Sequence, residues 1–454
     1  MSARSFYLAF NFSSELKSVE PIESRAGLDA ALKKGAALQK ALRILCGLLF
    51  ILIFCAAIWA SIKVGFSRLF SYYGEGQTLD QPLLLAVQMT PGDPEAHYLR
   101  ARVLEDAGNL SEAIKEFEQA VSLRPSDYVM WQELGLAHDR VNDEQGAVSA
   151  LTESVRLAPF YSQPRWQLGN ILFRAGRYEE AFAEMRRAVM NDSMLLPNFI
   201  DLTWGAYRGD TVAMEQVIRP ERDEWRLALA KFYAAHGKFS EATGMVKSLH
   251  ELSASDRQLL VSMLLKGKQF HAAYDVMSGG ASAGSPVQMP TFLNGGFEDR
   301  VSLEEQSFGW QIARNSPAIA ISQDGSQHHS GSYSLRVEWN GDSPADTPAL
   351  SQIILTEPNK RYVIKFAVRT EKIVSGGLPI MAVSDITGNE NRALVQSKPL
   401  PQNTEGWTEY SLEFTTGAAT EAVLVTLRRE ACTTAPCPAF GKVWLDDFEI
   451  QKVN

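Results

Sequence analysis

Residues recur along this chain with a step of 34. Ala113, Ala147 and Ala181 are spaced so, as are Ala101, Gly135 and Gly169, and Ala120, Ser154 and Ala188. Pro125 and Pro159 keep the same step, and Gly108 and Gly176 lie two steps apart with Asn142 midway. A fixed period of this length means one supersecondary unit copied several times. A small residue in each of two antiparallel helices lets their axes approach. Gly or Asn between the helices accommodates the turn, and the proline beyond the second helix ends it. A single helix pair cannot bury its apolar face, so copies must stack into a solenoid.

The segments Gly-Asn-Leu-Ser-Glu-Ala (108–113) and Gly-Arg-Tyr-Glu-Glu-Ala (176–181) are near-copies. With Trp131, Leu134, Gly135, Ala147 and Pro159 they resemble the tetratricopeptide repeat family. The first repeat departs from that pattern at His97 and Arg100, which stand where Trp and Leu are usual. Clear repeats cover about 94–195. Weaker ones follow around Leu229, Tyr233 and Ala242, then Phe270, Ala273 and Tyr274, and 196–222 is helical in composition but off-register. The expectation is an all-α array over 75–278, with a shorter entry helix at 75–92. The resemblance implies a concave face for protein partners, formed by Tyr98, Arg102, Gln132, Leu136, Arg140, Trp166, Asn170, Phe173 and Arg174. Aromatics interleaved with amides and guanidinium groups suit an extended peptide or a sugar polymer. A solvated face with no dedicated ligand is the competing reading. Trp131 is assigned to interhelix packing.

Ile44 to Ile62 is a run of 19 residues without charge, between Arg43 and Lys63. As a helix it spans close to the ~30 Å hydrocarbon core of a bilayer. A buried helix of a soluble core would carry a polar stripe. A cleaved signal peptide would have a short basic lead and a small-x-small site, but 43 residues precede the run and Ile58 fills the upstream slot. Leu45 and Phe54, before Cys46 and Cys55, are too bulky for a lipoprotein box. The reading is an uncleaved anchor. Arg25, Lys33, Lys34, Lys40 and Arg43 precede it, and only Lys63 and Arg68 follow within twenty residues. The positive-inside bias therefore places 1–43 in the cytoplasm and the bulk of the chain in the periplasm of a bacterial inner membrane. Gly27 to Arg43 has apolar residues at helical spacing, and either extends the helix or lies on the anionic leaflet. In that oxidising space Cys432 and Cys437 are an expected disulfide.

Residues 279–290 read as a flexible linker, rich in Gly, Ser, Ala and Pro. Gly280 to Gly284 fits G-x-S-x-G, but a nucleophile elbow needs a strand before it and a helix after it. After Thr291 the period changes to 2. Tyr333, Leu335, Val337 and Trp339 alternate with polar residues, as do Tyr362, Ile364, Phe366 and Val368, Tyr410, Leu412 and Phe414, and Val423, Val425 and Leu427. Short strands separated by Gly, Asn and Pro argue for an antiparallel β-sandwich. The ordered set Phe292-Leu293-Asn294-Gly295-Gly296-Phe297-Glu298, Gly309-Trp310, Ser330 to Val337, Gly406-Trp407-Thr408 and Val443 to Ile450 resembles the galactose-binding-like jelly rolls that include many carbohydrate-binding modules. That resemblance covers 291–454. It implies a structural Ca²⁺, with Glu298 and Asp446 as its acidic ligands. Period 2 puts Trp444, Phe448 and Ile450 on the face of Asp446, so its carboxylate should point inward and need a partner. The competing reading is a hydrogen-bonded Asp without metal. Trp310, Trp339 and Trp407 are expected in the core, so no stacking platform for sugar stands out. Tyr410 and the loops 340–348 and 385–392 remain as undistinguished exposed candidates, and His328-His329 is read as a solvated loop.

The fold class is therefore multidomain α and β: a single transmembrane helix, an all-α solenoid and a C-terminal jelly roll. No H-E-x-x-H, P-loop, C-x-x-C or dinucleotide fingerprint is present, and Asp446-Asp447 should point to opposite faces of a strand, so no enzyme is expected. A net charge of −9 argues against nucleic acid as partner. The functional expectation is a membrane-anchored periplasmic scaffold, its solenoid docking proteins and its jelly roll binding glycan, in envelope or exopolysaccharide assembly. The alternatives are a purely protein-binding scaffold, or an accessory subunit that delivers a polysaccharide enzyme.

Overall fold

A computed structural model describes residues 25–75, 80–279, 290–301, 307–312, 318–342, 345, 347–432 and 436–453. They fall into two compact units, 1–191 and 192–454.

In the first unit, α1 is one continuous helix, Arg25–Glu75, with the uncharged run at its centre. At ~1.5 Å per residue its 51 residues exceed the thickness of any bilayer. Its stretch Lys33–Leu69 is long enough to cross a membrane, and none of its most apolar 18-residue window is buried against the protein. The stretch from Gly27 to Arg43 extends this helix. Beyond Lys63, Ser67 is fully buried, and its hydroxyl donates to the Ala86 carbonyl at 3.2 Å. Ala86 and Leu83 are the buried residues of α2 (Asp80–Met89), the expected entry helix.

Three helix pairs follow: α3 (Pro94–Asp106) with α4 (Leu110–Leu123), α5 (Tyr128–Arg140) with α6 (Glu144–Leu157), and α7 (Ser162–Arg174) with α8 (Tyr178–Asn191). Asp93 and Asp127, 34 apart, cap α3 and α5 by accepting from Glu95 N and Val129 N, each at 3.1 Å. The turn inside each pair has a left-handed residue at the same step: Gly108 (φ 80°), Asn142 (φ 59°) and Gly176 (φ 76°). Helices pack closely where the small residues lie. A Cβ on Gly135 would sit 2.6 Å from Leu151 Cγ, and one on Gly169 2.6 Å from Met185 Cγ.

The second unit opens with α9 (Leu196–Ala206), α10 (Thr211–Ile218), α11 (Asp223–Ala235), α12 (Phe239–Lys247), α13 (Ala254–Lys266) and α14 (Phe270–Ser278). Leu229, Ala230, Tyr233, Ala242, Phe270 and Ala273 are buried there. Residues 280–289, which carry most of the expected linker and the G-x-S-x-G match, lie outside the described residues.

Among the described residues ten strands complete the unit: β1 (Gln311–Ile312), β2 (Ile319–Asp324), β3 (Ser334–Asp342), β4 (Leu350–Leu355), β5 (Arg361–Ser375), β6 (Pro379–Asp385), β7 (Arg392–Gln396), β8 (Thr408–Thr415), β9 (Ala422–Arg429) and β10 (Pro438–Val453). They form two five-stranded sheets, β1-β4-β9-β6-β7 and β2-β3-β10-β5-β8, antiparallel throughout. Val337, Trp339, Tyr362, Ile364, Phe366, Val423, Val425 and Leu427 meet in one core between them. These are the positions that alternation selected. Tyr410 belongs with this core as well, stacked on Phe366 at 5.5 Å between centroids, and is not an exposed candidate.

β10 departs from simple alternation. Its register against β5 shifts between Asp446 and Glu449, and Asp447 has φ 50°. This is a β-bulge, which inserts one residue and reverses the faces beyond it. Val443 and Leu445 point into the core, and so do Phe448 and Ile450, while Trp444 and Asp446 lie on the other side. The expectation that Asp446 shares a face with Phe448 and Ile450 is therefore wrong. It assumed that period 2 runs unbroken through the strand.

Candidate functional site

The expected groove residues all lie on α3, α5 and α7, but they do different jobs. Arg140 pairs with Glu105 of the preceding repeat, and Arg174 Nη2 with Asp139 at 2.5 and 2.6 Å. Acid and arginine each recur at the 34-residue step, so this is a ladder that ties one first helix to the next. Those two guanidinium groups are committed to the protein itself. Tyr98 packs edge-on against Phe117, at 5.9 Å between ring centroids. Its hydroxyl interacts with Arg102, whose proton affinity is raised by Tyr98 and Glu133 against the opposing effect of burial. Gln132, Trp166 and Asn170 are half-buried.

A second periodic device replaces the missing Trp of the first repeat. Trp131 Nε1 donates to the Pro125 carbonyl at 2.9 Å, and Arg165 Nε to that of Pro159 at 2.9 Å. His97 Nε2 lies 3.1 Å from the carbonyl of Pro91. Three unlike residues at one repeat position satisfy the same backbone acceptor. His97 Nδ1 also meets Glu116 at 2.6 Å, as Arg165 meets Glu184 two periods on. The Glu116 contact raises the His97 pKa above 6.5 despite burial. The departure at His97 is thus a structural substitution within the helix pair.

In the sandwich, the bulge brings together three acids. Asp446 is fully buried. Its Oδ2 accepts from His329 N at 2.7 Å and Ser330 N at 3.3 Å, and its Oδ1 from Asp447 N at 2.8 Å. Glu298 Oε1 accepts from Ser332 N at 2.8 Å and Tyr333 N at 3.1 Å. A Cβ on Gly296 would stand 3.9 Å from Asp446 Oδ1, Asp447 Oδ1 and Glu298 Cγ, so the two aspartate carboxyls and the stem of Glu298 border that glycine, while the Glu298 carboxylate lies against Gly331. Asp446 and Asp447 therefore do not diverge to opposite faces; the left-handed residue turns both to one side. Burial pushes the Asp446 pKa up and Asp447 adds to it, with the amide bonds opposing. The partner that the buried carboxylate required is supplied by backbone N–H groups. Among the described residues no three His, Cys, Asp or Glu side chains form a metal-holding group.

His329 is not a free loop imidazole. Its Nδ1 lies 2.6 Å from Asp447 Oδ2, and Ser330 Oγ donates to Asp447 Oδ1 at 2.6 Å. Its ring lies 5.7 Å from that of Trp407, tilted by 57°. Trp310 and Trp339 are in the core as expected, but Trp407 is only half-buried. Sequence alternation missed Trp407 because it precedes β8, where alternation no longer fixes a face. The first sheet, by contrast, has no Trp, Tyr or Phe in any of its five strands.

At the other end of the second sheet Cys432 and Cys437 are joined, their Cα atoms 6.3 Å apart. The buried Arg429 donates to the Cys437 carbonyl at 3.0 Å and to Ser375 Oγ at 2.9 Å. On the outer face of the same sheet, Asp324 accepts from Trp444 Nε1 at 2.9 Å and from Ser326 N and Oγ at 2.8 and 2.6 Å. Burial alone would raise Asp324, but these bonds and Arg336 outweigh it and hold the pKa at about 2.

Comparison with known proteins agrees with this division. A family model described as a carbohydrate binding domain matches residues 290–433. Two tetratricopeptide repeat models match 94–137 and 133–193. Both kinds of family are non-catalytic. A peroxisomal targeting signal receptor of Candida albicans is 34% identical over 65 residues, which span 14% of this chain and only 11% of the receptor. A crystal structure of MamA protein is 16% identical, covering 47% of this chain and 95% of that one, with a TM-score of 0.28. A structure described as "CBM4 structure and function" is 13% identical, covering 36% of this chain and 99% of that one, with a TM-score of 0.26. The chain combines one long apolar N-terminal helix, tetratricopeptide repeats and a C-terminal β-sandwich of the carbohydrate-binding-module type.

Proposed function

We propose that this protein is a membrane-anchored interaction scaffold. Helix α1 crosses a bacterial inner membrane through residues 44–62, with 1–43 in the cytoplasm and the bulk of the chain in the periplasm. The repeats dock protein partners through Tyr98, Arg102, Gln132, Trp166 and Asn170, with Arg140 and Arg174 holding the repeats in line. The sandwich binds a glycan, and the whole serves envelope or exopolysaccharide assembly. The observation that carries this reading is the apolar helix whose uncharged run, 44–62, is exposed throughout, in the same chain as two non-catalytic binding modules. A core helix of that composition would be buried. The test is protease added to intact spheroplasts. Digestion of the C-terminal sandwich before lysis supports the topology, and digestion only after lysis refutes it.

The same reading gives the acid cluster a Ca²⁺. Glu298 and Asp446 would hold it together with backbone carbonyls, since Ca²⁺ takes several oxygen ligands. A cation would offset the burial, and the neighbouring Asp447 charge, that push the Asp446 pKa up. A melting temperature that falls in chelator and returns with Ca²⁺ supports the ion. An unchanged melt argues against it.

One observation favours the alternative of a sandwich that binds no sugar. The first sheet has no aromatic residue on which a pyranose could stack. Crosslinking that recovers only proteins, with no polysaccharide affinity in the full chain, would select that alternative.

A further inference from the structure

We propose that the sandwich holds a single pyranose unit of a glycan at the β8 edge of the second sheet, on Trp407 and His329. This deepens the glycan reading and rests on it. Sugar recognition combines an aromatic face for the C–H side of the ring with a few fixed polar groups for its hydroxyls. With its strands devoid of aromatic residues, the first sheet lacks the former.

The β8 edge supplies both. Trp407 is half-buried, so its indole is held by the protein while part of it meets solvent. A side chain added at the neighbouring Gly406 would stand in open space. The His329 ring is set against the indole and fixed from behind through Nδ1 by Asp447. Asp447 is placed by the bulge and held by Ser330 Oγ. His329 Nε2 and Trp407 Nε1 make no bond to any described residue. They are two polar atoms on adjoining rings, one ring held in place through its other nitrogen, and in this proposal they meet sugar hydroxyls. Preorganisation of this kind reduces the entropy lost on binding.

The proposed contact is one ring pair. It fits one sugar unit, such as a chain end or a side branch, and not a long run of polymer. The test is calorimetric titration of the full chain, in a detergent without sugar headgroups, with cellohexaose, xylohexaose, mannohexaose and galactose as probes. At least one should bind the wild type. Trp407→Ala should weaken that binding about tenfold or more, and Trp407→Phe should keep most of it, because the ring face remains. Arg428→Ala, on the first sheet, should leave it unchanged. Thermal melts show whether each variant is folded, and Trp407→Phe keeps the comparison open if Trp407→Ala is not. Undiminished binding in Trp407→Ala, or loss in Arg428→Ala, overturns this site while the glycan reading stands. If no probe binds the wild type, the glycan reading falls and the site falls with it.

Discussion

Replacing Asp446 by Ala should destabilise the sandwich by about 3 kcal/mol. The carboxylate is fully buried and accepts from three backbone N–H groups, those of His329, Ser330 and Asp447. A buried donor that loses its acceptor costs about 1–3 kcal/mol, which gives an upper bound of about 9 kcal/mol for three. Two reductions apply. His329 and Ser330 lie in an exposed loop, so their amides can turn to water. The carboxylate is itself held at a cost, visible in the upward push on its pKa from burial and from Asp447. Removing it recovers that cost. For a domain of this size about 3 kcal/mol corresponds to a fall of about 6–12 °C in melting temperature. Asp446→Asn keeps one oxygen acceptor and should lose less. The pH dependence has a definite sign. A carboxyl whose folded pKa is raised binds protons more tightly when folded, so its contribution to stability grows as pH falls through the folded value toward 3.8. Asp446→Asn should remove that component. The assay is thermal unfolding of the full chain in detergent, with hydrogen exchange of peptides from β3 and β10 assigning the transition. A change below about 2 °C for Asp446→Ala, with unaltered exchange in β10, would refute the reasoning.

Asp324 should behave in the opposite sense. Its pKa is held at about 2, against an ordinary 3.8. Its contribution, of order 2 kcal/mol, is present above pH ~4 and is lost as pH falls toward 2; Asp324→Asn should flatten the acid limb of the melting curve. The disulfide can be checked chemically, since maleimide labelling of the denatured, unreduced chain should modify Cys46 and Cys55 and spare Cys432 and Cys437. Serine at both of the latter should cost about 2 kcal/mol, from the entropy of a closed loop of about six residues. In the solenoid, Gly135→Ala places a Cβ 2.6 Å from Leu151 Cγ, and an overpacking cost of about 1–3 kcal/mol should outweigh a helix-propensity gain of about 1 kcal/mol. Gly205→Ala, on the exposed side of α9 with nothing within 4 Å, should stabilise instead, and circular-dichroism melts distinguish the two.

The amino-acid sequence alone determined the parts whose physics is local and repeated. The 34-residue step located the left-handed turns at Gly108, Asn142 and Gly176 and the close contacts at Gly135 and Gly169. Alternation located the core of Tyr362, Ile364, Phe366 and Val425, because each strand has to turn one face from water. The candidate site was less legible. The landmarks Glu298 and Asp446 could be read, but not the direction in which Asp446 points, since a bulge is decided by register with the neighbouring strand. At Asp447 that register reverses the faces, draws two carboxylates to one side and fixes His329 beside Trp407. Likewise Arg140 and Arg174 fit a ligand-facing pattern, yet each is claimed by an acid 35 residues away in the adjacent repeat. Periodicity specifies which side chains share a surface. Only the packed chain specifies which of them are already bonded to one another, because those partners come from segments distant in sequence.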